Sequence, residues 1–551
     1  MADRLPQKPS QSKILSFVVA FLFSAPLLYY WIYAIWVSPS QNFYTNDAEF
    51  PYFMNSLAVF KGGTYTYIDH PGTPLEEIGT AILSISYPLI GKDRQEFILY
   101  HLQNPDIFLH TVHDFLIFSN LLCIVVFYWI GLKTLGQDNA IVAAALALMY
   151  FAVHPLSLNT TTIWNHNSFN FPFGTLLLLF FFTVMNQESS QGRITGKSLI
   201  LLGLFSGILA AVTIYMTAWV IGIIIGICIF YRLQSLSWLK TIGAIFITFF
   251  AGIVGFLLVN LPIIDRLVRF WNWINSILTH QSKYLAVSRD EPSLVRIFNN
   301  LGVLYNILPV LLISTVVVMG LALATIIIWR KKLFERPGLW AALIALSFQV
   351  VTLLIIFLDR PLREAYLLSL AATLPVLSMA ILAIWEYSPR ARSFMNISLS
   401  LLVFAGVINT STQSIRIRQE EISSFSISQA QAANSIADYA KATGRSEQEL
   451  TILWMYGTYS KCWGLRAGDS LSRNIFIKEV NAICPREYYL GNNLRADING
   501  NFIPLSEINW DVIFTCEKGL KDIAVPGTSS RIEKYSQIQW GCGSMVVVLN
   551  K

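Results

Sequence analysis

The stretch Asn46–Leu75, NDAEFPYFMNSLAVFKGGTYTYIDHPGTPL, lies between two long hydrophobic segments and predicts two short helices. Pro51 suits the first turn of a helix, and the pair Gly62-Gly63 would end that helix. Thr73 suits the N-cap of a second helix, and Glu76 three residues later would complete a capping box. Apolar residues then recur at helical spacing, so the second helix should lie along a membrane or a protein surface: Leu75, Ile78, Ile82, Ile85 and Leu89.

Carboxylates and one histidine stand at the edges of both predicted helices. Asp47 and Glu49 come just before the first helix, and Asp69 with His70 comes just before the second. Acids and a histidine on short turns beside a membrane are typical of a reaction centre. An ordinary loop or capping role is the alternative for each acid.

The composition is that of a membrane protein. Of the 551 residues, 54% are hydrophobic and 13% are charged, and apolar windows of about 18 residues or more recur along the chain. The net charge of +6 comes without the basic, aromatic-rich run that a nucleic-acid surface needs, so we expect no nucleic-acid partner. Eleven spans are predicted, the first of them an uncleaved anchor: 14–37, 113–132, 139–155, 168–186, 198–213, 216–231, 239–262, 301–329, 338–358, 366–387 and 394–411.

The charges of the short loops predict the orientation of these spans. With a cytoplasmic N-terminus, the inner loops carry most of the lysines and arginines, whereas the first outer loop is acidic. This orientation places the C-terminal region outside the cytoplasm. No acidic or basic residue lies in the middle of a predicted span, which argues against an ion-coupled transporter.

The predicted fold class is a polytopic α-helical membrane protein of about eleven transmembrane helices with a small C-terminal α/β soluble domain. Residues 1–411 form the membrane domain, whose first outer loop, 38–112, holds the two interfacial helices. Residues 412–551 form the extracytoplasmic α/β domain, with a helix at 428–443 that Gly444 ends and with strands at 451–456, 510–515 and 545–549.

Four of the six cysteines lie in this C-terminal region: Cys462, Cys484, Cys516 and Cys542. An even number confined to one domain suggests up to two disulfides, and therefore an oxidising compartment. The connectivity is open, and free thiols are the alternative.

Two further outer loops carry polar and aromatic residues. The loop 154–167 sets neutral hydrogen-bonding groups around Trp164, and Asn165 and His166 are candidates for binding sugar hydroxyls. Trp164 is either a stacking face for a sugar or an ordinary anchor at the membrane interface. The loop 263–298 predicts an interfacial helix and a flexible cover, in which His280 is a candidate substrate-binding residue or a surface histidine.

A very short late turn carries two arginines on the predicted outer side, against the usual charge rule. A guanidinium fork at the bilayer surface matches a lipid phosphate or diphosphate. Arg363, with Arg360 as second choice, is therefore predicted to bind the phosphate of a lipid-linked substrate, with Tyr366 close by in the sequence. The alternatives are snorkelling of the arginines, or pairing with Asp359 and Glu364.

The order of these parts resembles the GT-C superfamily of polyprenyl-phosphate-sugar-dependent glycosyltransferases, especially the branch of the protein mannosyltransferases and the lipid A aminoarabinose transferases. That branch has an acid soon after the first span, a His-Pro-Pro-Leu-like turn that opens the second interfacial helix, and a late Arg-Tyr-Leu-Leu-Pro-like element. The acid maps here onto Asp47. The turn is Asp69-His70-Pro71-Gly72-Thr73-Pro74-Leu75, with two residues between the prolines, and the late element is Arg363-Glu364-Ala365-Tyr366-Leu367-Leu368, with two residues between Arg and Tyr. The resemblance covers about the first 410 residues.

The resemblance implies an inverting glycosyltransferase that uses a polyprenyl-phosphate-sugar donor on the extracytoplasmic face. Nucleotide sugars are not available there, so the donor has to be membrane-borne. Asp47 would take the proton of the acceptor hydroxyl, while Glu49, Asp69 and His70 would orient this base or bind the acceptor. No cofactor is required, and the three acids leave room for a divalent metal ion although no spacing demands one. The acceptor is a glycan, a lipid or a protein.

Three other functions share some of these features. A polysaccharide polymerase or ligase also uses lipid-linked sugars, but it usually relies on a large late outer loop with histidine and arginine. A transporter of lipid-linked sugars would keep the arginines yet would not need a carboxylate aimed at an acceptor. A scaffold that displays the C-terminal domain would leave the acidic first loop unexplained.

Overall fold

The computed structural model describes residues 49–66, 73–152, 164–188, 193–213, 216–266, 268–269, 271–272, 275, 292–359, 367–385, 388–409, 433–454, 461–490, 495–498, 501–516, 531–538 and 543–550. The chain forms two compact units. The bundle unit comprises Met1–Trp36, Phe115–Thr162 and His166–Ser414. The sheet unit comprises Val37–Asp114, Ile163–Asn165 and Ile415–Lys551, so the first predicted outer loop is grouped with the C-terminal region. The domain boundaries predicted from the sequence stay a prediction.

Three helices of the sheet unit come first in the chain: α1 (Glu49–Phe60), α2 (Thr73–Ile90) and α3 (Arg94–Gln103). Both helices predicted in the opening stretch are therefore confirmed as helices. The buried residues of α2 lie mainly in its first half, whereas Ile85 and Leu89 near its end are 69% and 81% exposed. An exposed apolar stripe on this helix agrees with the prediction that it lies along an apolar surface.

The remaining apolar helices run from α4 to α14: α4 (Pro105–Leu135), α5 (Gln137–Ala152), α6 (Asn170–Glu188), α7 (Gly196–Val212), α8 (Thr217–Leu233), α9 (Trp238–Val259), α10 (Ser293–Ile307), α11 (Pro309–Trp329), α12 (Pro337–Leu358), α13 (Leu368–Trp385) and α14 (Pro389–Asn409). Five segments within the described part of the chain are long and apolar enough to cross a membrane: Pro105–Leu135, Trp238–Val259, Pro309–Lys332, Pro337–Leu358 and Leu368–Trp385. Shorter apolar helices account for further predicted spans, and the total of eleven stays a prediction because the first span, 14–37, lies outside the described residues.

Two helix boundaries test the sequence interpretation. The division of the long apolar stretch near Tyr215 is confirmed, because α7 ends at Val212 and α8 begins at Thr217. The single span predicted at 301–329 is wrong at its start, because the amphipathic α10 ends at Ile307 and α11 begins at Pro309. Pro309 has no N–H to continue the hydrogen bonds of α10, and it restricts the backbone of the residue before it.

The core of the bundle unit is built around α13, in which every residue is buried. This helix packs against α5, α6, α11, α12 and α14. A second close contact joins α7 and α9, where glycines let the backbones approach. A Cβ added at Gly207 would lie 1.9 Å from the carbonyl oxygen of Gly252, so no larger residue fits there without movement.

The C-terminal region forms a small mixed sheet with helices. Its helices are 433–443 (α15), Lys461–Leu471 (α16) and Ile477–Ile483 (α17), and its strands are β1 (Ile452–Trp454), β2 (Glu487–Tyr489), β3 (Arg495–Ile498), β4 (Asn501–Pro504), β5 (Val512–Cys516), β6 (Arg531–Ile538) and β7 (Gly543–Leu549). The five-stranded sheet has the order β2-β1-β5-β7-β6. In it β1 is parallel to β2 and β5, and β7 is antiparallel to β5 and β6. The three predicted strands and the predicted helix are confirmed, and so is the fold class of apolar helices followed by a small α/β domain.

One disulfide is confirmed, between Cys462 at the start of α16 and Cys484 after α17. It joins two residues that are 22 positions apart. Cys516 lies in β5, and Cys542 lies outside the described residues.

Candidate functional site

The first helix, α1, presents the best-defined polar site of the sheet unit. Pro51 lies in its first turn, and the helix ends where Gly63 N–H donates to the carbonyl oxygen of Ala58 at 2.8 Å. Gly62 adopts φ 102°, the left-handed conformation that glycine allows at a helix end. Eleven of the twelve residues of α1 are buried, including the acid at its start, Glu49. An acid at this end also interacts favourably with the helix dipole.

The side chain of Glu49 is fully buried and is held through one oxygen. Its Oε1 accepts a hydrogen bond from Nε2 of His113 at 2.7 Å and another from the backbone N–H of Trp164 at 2.8 Å. Its Oε2 is also buried and has no hydrogen-bond partner among the described residues. Burying a carboxylate is costly unless hydrogen bonds compensate, and here two donors converge on a single oxygen.

The position of the Trp164 N–H follows from the packing of its indole ring. The ring is fully buried, and its centroid lies 5.8 Å from that of Tyr52 and 5.4 Å from that of Phe108. It also fits against α2 at Gly79, where an added Cβ would lie 2.5 Å from the Cη2 atom of Trp164. The ring is therefore a packing group, and its contact with Glu49 is made by the main chain.

A second buried acid, Glu76, lies where α2 packs on α1. Ser56 donates its hydroxyl to the carbonyl oxygen of Glu76 at 3.0 Å, and Thr80 donates to the same oxygen at 2.8 Å. The carboxyl group itself is fully buried, and neither of its oxygens has a hydrogen-bond partner within the described ranges. The predicted capping box is therefore wrong, because Glu76 does not accept from the N–H of Thr73. Tertiary burial against α1 directs this side chain away from the helix end.

Burial also changes the proton affinity of this group of residues. Burial raises the pKa of Glu76 well above its ordinary range, and the neighbouring Glu77 raises it further. Burial raises the pKa of Glu77 from 4.5 to about 7 and that of Tyr65 from 10.0 to about 12. Nearby on α3, burial lowers the pKa of His101 from 6.5 to about 4. Burial therefore favours the protonated form of Glu76 and the neutral form of His101.

An aromatic cluster surrounds His101. Its ring centroid lies 4.5 Å from that of Phe97 and 6.1 Å from that of Phe108. Phe108 in turn contacts Phe53 of α1 at 5.2 Å. Neither ring nitrogen of His101 has a hydrogen-bond partner in the part of the chain that the structure describes. The cluster forms a rigid apolar base next to the Glu49 site, because it shares Phe108 with Trp164.

The C-terminal region holds α1 from another side within the same unit. The amide of Asn55 donates to Ser472 Oγ at 3.1 Å and to the carbonyl oxygen of Pro51 at 2.9 Å, and its Oδ1 accepts from the N–H and the hydroxyl of Thr66. On α16, Gly464 and Gly468 leave room for α1, because a Cβ at either would come within 3.0 Å of Phe50 or Met54. The first outer loop and the C-terminal helix therefore form one packed structure.

Three of the residues predicted from the sequence fall in described segments. Glu49 is buried in the sheet unit, as is Asn165, and His166 is buried in the bundle unit. The others lie outside the described residues: Asp47, Asp69, His70, His280, Arg360, Arg363 and Tyr366. Their roles stay predictions.

The structure adds two partners of Glu49 that sequence reasoning missed. His113 was counted only as the first residue of a predicted span, and it is 64 positions from Glu49. A histidine at the edge of an apolar segment was the available signal. The backbone donor of Trp164 left no signal in the sequence, because every residue except proline carries an N–H group.

In the bundle unit, Asp359 at the end of α12 is paired with Arg296 of α10. Arg296 of α10 donates Nη2 to Asp359 Oδ1 at 2.8 Å. Asn300, one turn later on α10, donates to the carbonyl oxygen of Leu358 at 2.8 Å. These bonds attach the amphipathic α10 to the end of α12, just before the late arginine turn of the sequence.

Within the described segments, no group of three or more His, Cys, Asp or Glu residues is arranged to hold a metal ion. The suggested ion between Asp47, Glu49 and Asp69 involves two residues outside those segments. A metal ion between these three acids therefore stays a prediction.

No protein-family model matches the chain, and no curated protein sequence matches it. Among solved structures, the chain is similar to ArnT from Cupriavidus metallidurans bound to undecaprenyl phosphate, with 11% identity over 96% of this chain and 98% of that chain and a TM-score of 0.48. The apo state of the same protein gives 12% identity over 96% and 97% of the two chains, with a TM-score of 0.47. At this level of identity, the chemistry has to be argued from the chain's own residues.

Proposed function

We propose that this chain is an integral membrane glycosyltransferase that moves a sugar from a polyprenyl-phosphate donor to an acceptor hydroxyl on the extracytoplasmic face. The observation that supports this proposal best is the Glu49 carboxylate, buried at the start of α1 with one oxygen held by two donors. Two positions earlier in the sequence stands Asp47, the proposed base. A rigid carboxylate two residues from a base in the sequence suits a reaction in which a hydroxyl must be oriented and deprotonated.

The proposed reaction is a single displacement. The acceptor oxygen attacks the anomeric carbon, the bond from that carbon to the phosphate oxygen breaks, and Asp47 takes the hydroxyl proton. One displacement inverts the anomeric centre. Asp69, His70, Asn165, His166 and His280 are the proposed contacts to the acceptor and the sugar.

The leaving group is a lipid phosphate, whose negative charge needs cations in the transition state. Arg363, with Arg360 as second choice, is proposed to meet it, with Tyr366 alongside. A phosphate donor carried by a membrane lipid also accounts for catalysis by a chain rich in apolar helices. Within the described residues, five of these helices are long enough to cross a bilayer. No cofactor is required in this scheme, so we expect transfer to persist after treatment with a chelator.

The donor class is tested by native mass spectrometry of the purified protein, with and without Arg363→Ala. A bound polyprenyl phosphate that is lost in the variant supports the proposal, and an attached sugar identifies the substrate. Bulk phospholipid alone, even after polyprenyl phosphates are supplied, contradicts it.

The base is tested by Asp47→Asn. The variant should fold and bind donor lipid but should transfer no sugar, since an amide cannot take the proton. Transfer at the wild-type rate would remove Asp47 from the mechanism. A transporter of lipid-linked sugars would be unaffected by this substitution in a flipping assay, so the same variant separates the two functions.

A further inference from the structure

The two oxygens of Glu49 have different surroundings. Oε1 receives both donors, at 2.7 Å from His113 and 2.8 Å from the Trp164 N–H, while Oε2 receives none from the described residues. A buried acceptor atom is nearly always paired in a folded protein. An unpaired oxygen on a carboxylate that is otherwise fixed by two bonds points to a ligand that donates a hydrogen bond.

His113 lies on the first turns of α4, in the sheet unit, and it is buried. The titratable groups near His113 include Glu49 on α1, to which it is hydrogen-bonded, and His110 on its own helix. The ring centroids of His110 and His113 are 6.4 Å apart. Asp114 follows it in the sequence. His113 bonds Glu49 through Nε2, the far nitrogen of the ring, so the length of the side chain decides whether the contact forms.

We propose that His113 is a positioning residue for sugar transfer: it holds Oε1 of Glu49, so that Oε2 is the oxygen presented to the acceptor hydroxyl. This inference rests on the proposed function, and it assigns to His113 a role through Glu49 without contact to the substrate. The hydroxyl donates its hydrogen to Oε2 as it binds, which sets the direction of attack. As the oxygen attacks the anomeric carbon, this hydrogen leaves Oε2 and passes to Asp47. The backbone N–H of Trp164 supports the same geometry and cannot be removed by a side-chain substitution.

The experiment compares His113→Gln with His113→Asn. Both amides donate a hydrogen bond, but only glutamine reaches the place of Nε2, whereas asparagine ends near the position of Nδ1. His110→Asn is the matched control, since it makes the same change one turn away at an exposed position. Transfer is measured in membranes that supply the natural acceptor, with radiolabelled polyprenyl-phosphate hexoses and pentoses as donors.

We expect His113→Asn to lower kcat by about 10- to 100-fold, because a small displacement of a positioning group costs about that much. Its KM for the donor should not change. His113→Gln should stay within a few-fold of the wild type, as should His110→Asn.

The inference is overturned if the Gln and Asn variants have the same kcat, or if His113→Asn changes the KM for the donor and leaves kcat at the wild-type value. Equal loss in both variants would mean a packing role for the ring. If the wild type itself transfers no sugar from any of these donors, the proposed function fails and the role of His113 fails with it. If the wild type transfers sugar but the Gln and Asn variants do not differ, only the role of His113 fails.

Discussion

Glu49 and Glu76 are two buried acids of the same unit with opposite surroundings. Glu49 receives two hydrogen bonds from the protein, and Glu76 receives none among the described residues. Burial without donors raises the pKa of Glu76, because it disfavours the charged form. The two acids therefore differ in their hydrogen bonding, although both lie on helices of the first loop.

The pH dependence of stability should reveal Glu76. Its folded-state pKa lies above the unfolded value, so its contribution to stability is complete below pH 4.5 and is lost as the pH rises through the raised pKa. Burial raises the pKa of Glu77 to about 7, so this residue adds a further loss of stability as the pH rises from 4.5 to about 7. Thermal unfolding in detergent at pH 5, 7 and 8 should show a falling Tm.

Glu76→Met should flatten this pH dependence and raise the free energy of unfolding at pH 8 by about 1 to 3 kcal/mol, the usual penalty of an unpaired buried polar group. Methionine has a similar unbranched shape. Glu77→Gln serves as the control and should remove only the part below pH 7. A less stable Glu76→Met protein would show that the carboxyl group has a partner that stabilises the fold.

The roles of individual residues were harder to predict from the sequence than the positions of the helices and strands. The acids at the helix edges were predicted because Asp and Glu are rare in this sequence, and Glu49 is the one among them that the structure describes. Glu76 was assigned to a capping box because its spacing from Thr73 fits that motif, but a local pattern carries no information about which helix will cover it. His113 was missed for a similar reason, since its partner is 64 positions away.

At the scale of elements, Gly79 of α2 determines where the backbone N–H of Trp164 lies. Because Gly79 has no side chain, the ring of Trp164 packs directly on α2. This packing positions the backbone N–H of Trp164 that donates to Glu49. A Cβ at Gly79 would come within 2.3 Å of Ser56 Oγ and 2.5 Å of the indole. The hydroxyl can rotate away, but the ring is packed on its other sides by Tyr52 and Phe108.

Gly79→Ala should therefore displace the ring of Trp164 from its packing position on α2. We expect a loss of stability of about 1 to 3 kcal/mol, as for other overpacked sites, together with a lower rate of transfer. Gly302→Ala makes the same chemical change on α10, where the added Cβ has nothing within 4 Å. That control should keep its activity. Normal activity and stability in Gly79→Ala would mean that the ring does not position the Glu49 donor.

The contact between α7 and α9 makes a separate prediction for the bundle unit. Gly207→Ala places a Cβ 1.9 Å from a backbone oxygen that cannot rotate away, so the two helices must separate. Because tight backbone contact drives helix association in membranes, we expect a loss of about 2 kcal/mol or more, read as a lower Tm in detergent. Gly243→Ala on α9 meets nothing within 4 Å and should be neutral or slightly stabilising. Equal Tm values for the two variants would contradict close packing at Gly207.

Elements were the most predictable level. Long apolar windows, proline and paired glycine marked most helix ends to within a few residues, because these signals act locally. The break before Pro309 was missed, since the apolar pattern continues from α10 into α11 and periodicity alone does not separate a surface helix from the span that follows it.

At the scale of the whole molecule, the first loop and the C-terminal region belong to one unit. The boundary predicted from the sequence follows the change of composition at 412, and composition carries no information about which distant segments pack together. Helix α16 carries both the glycines that receive α1 and one cysteine of the disulfide. A covalent link in the C-terminal region therefore restrains the element that holds the first loop.

Replacing both Cys462 and Cys484 by serine should destabilise the protein. For residues 22 positions apart, the loop-entropy relation gives about 3 kcal/mol. The loss should appear in the unfolding of the sheet unit and as reduced transfer. Maleimide labelling of the denatured wild type, with and without reductant, should differ by at least two thiols. Equal labelling would show that the bond does not form in the cell, and would argue against an extracytoplasmic C-terminal region.

The packing of α16 on α1 also has a consequence for the making of the protein. Asn55 and Ser472, which are hydrogen-bonded in the finished fold, are 417 positions apart in the chain. At a synthesis rate of about 5 to 20 residues per second, roughly 20 to 80 seconds pass between the emergence of the two. During that time α16 has not been made, so its residues Gly464 and Gly468 cannot pack on Phe50 and Met54. The helix α1, which carries Glu49, is therefore without its contact to α16. A ribosome-bound or truncated copy should consequently lack a stable first loop and, under the proposed function, should transfer no sugar.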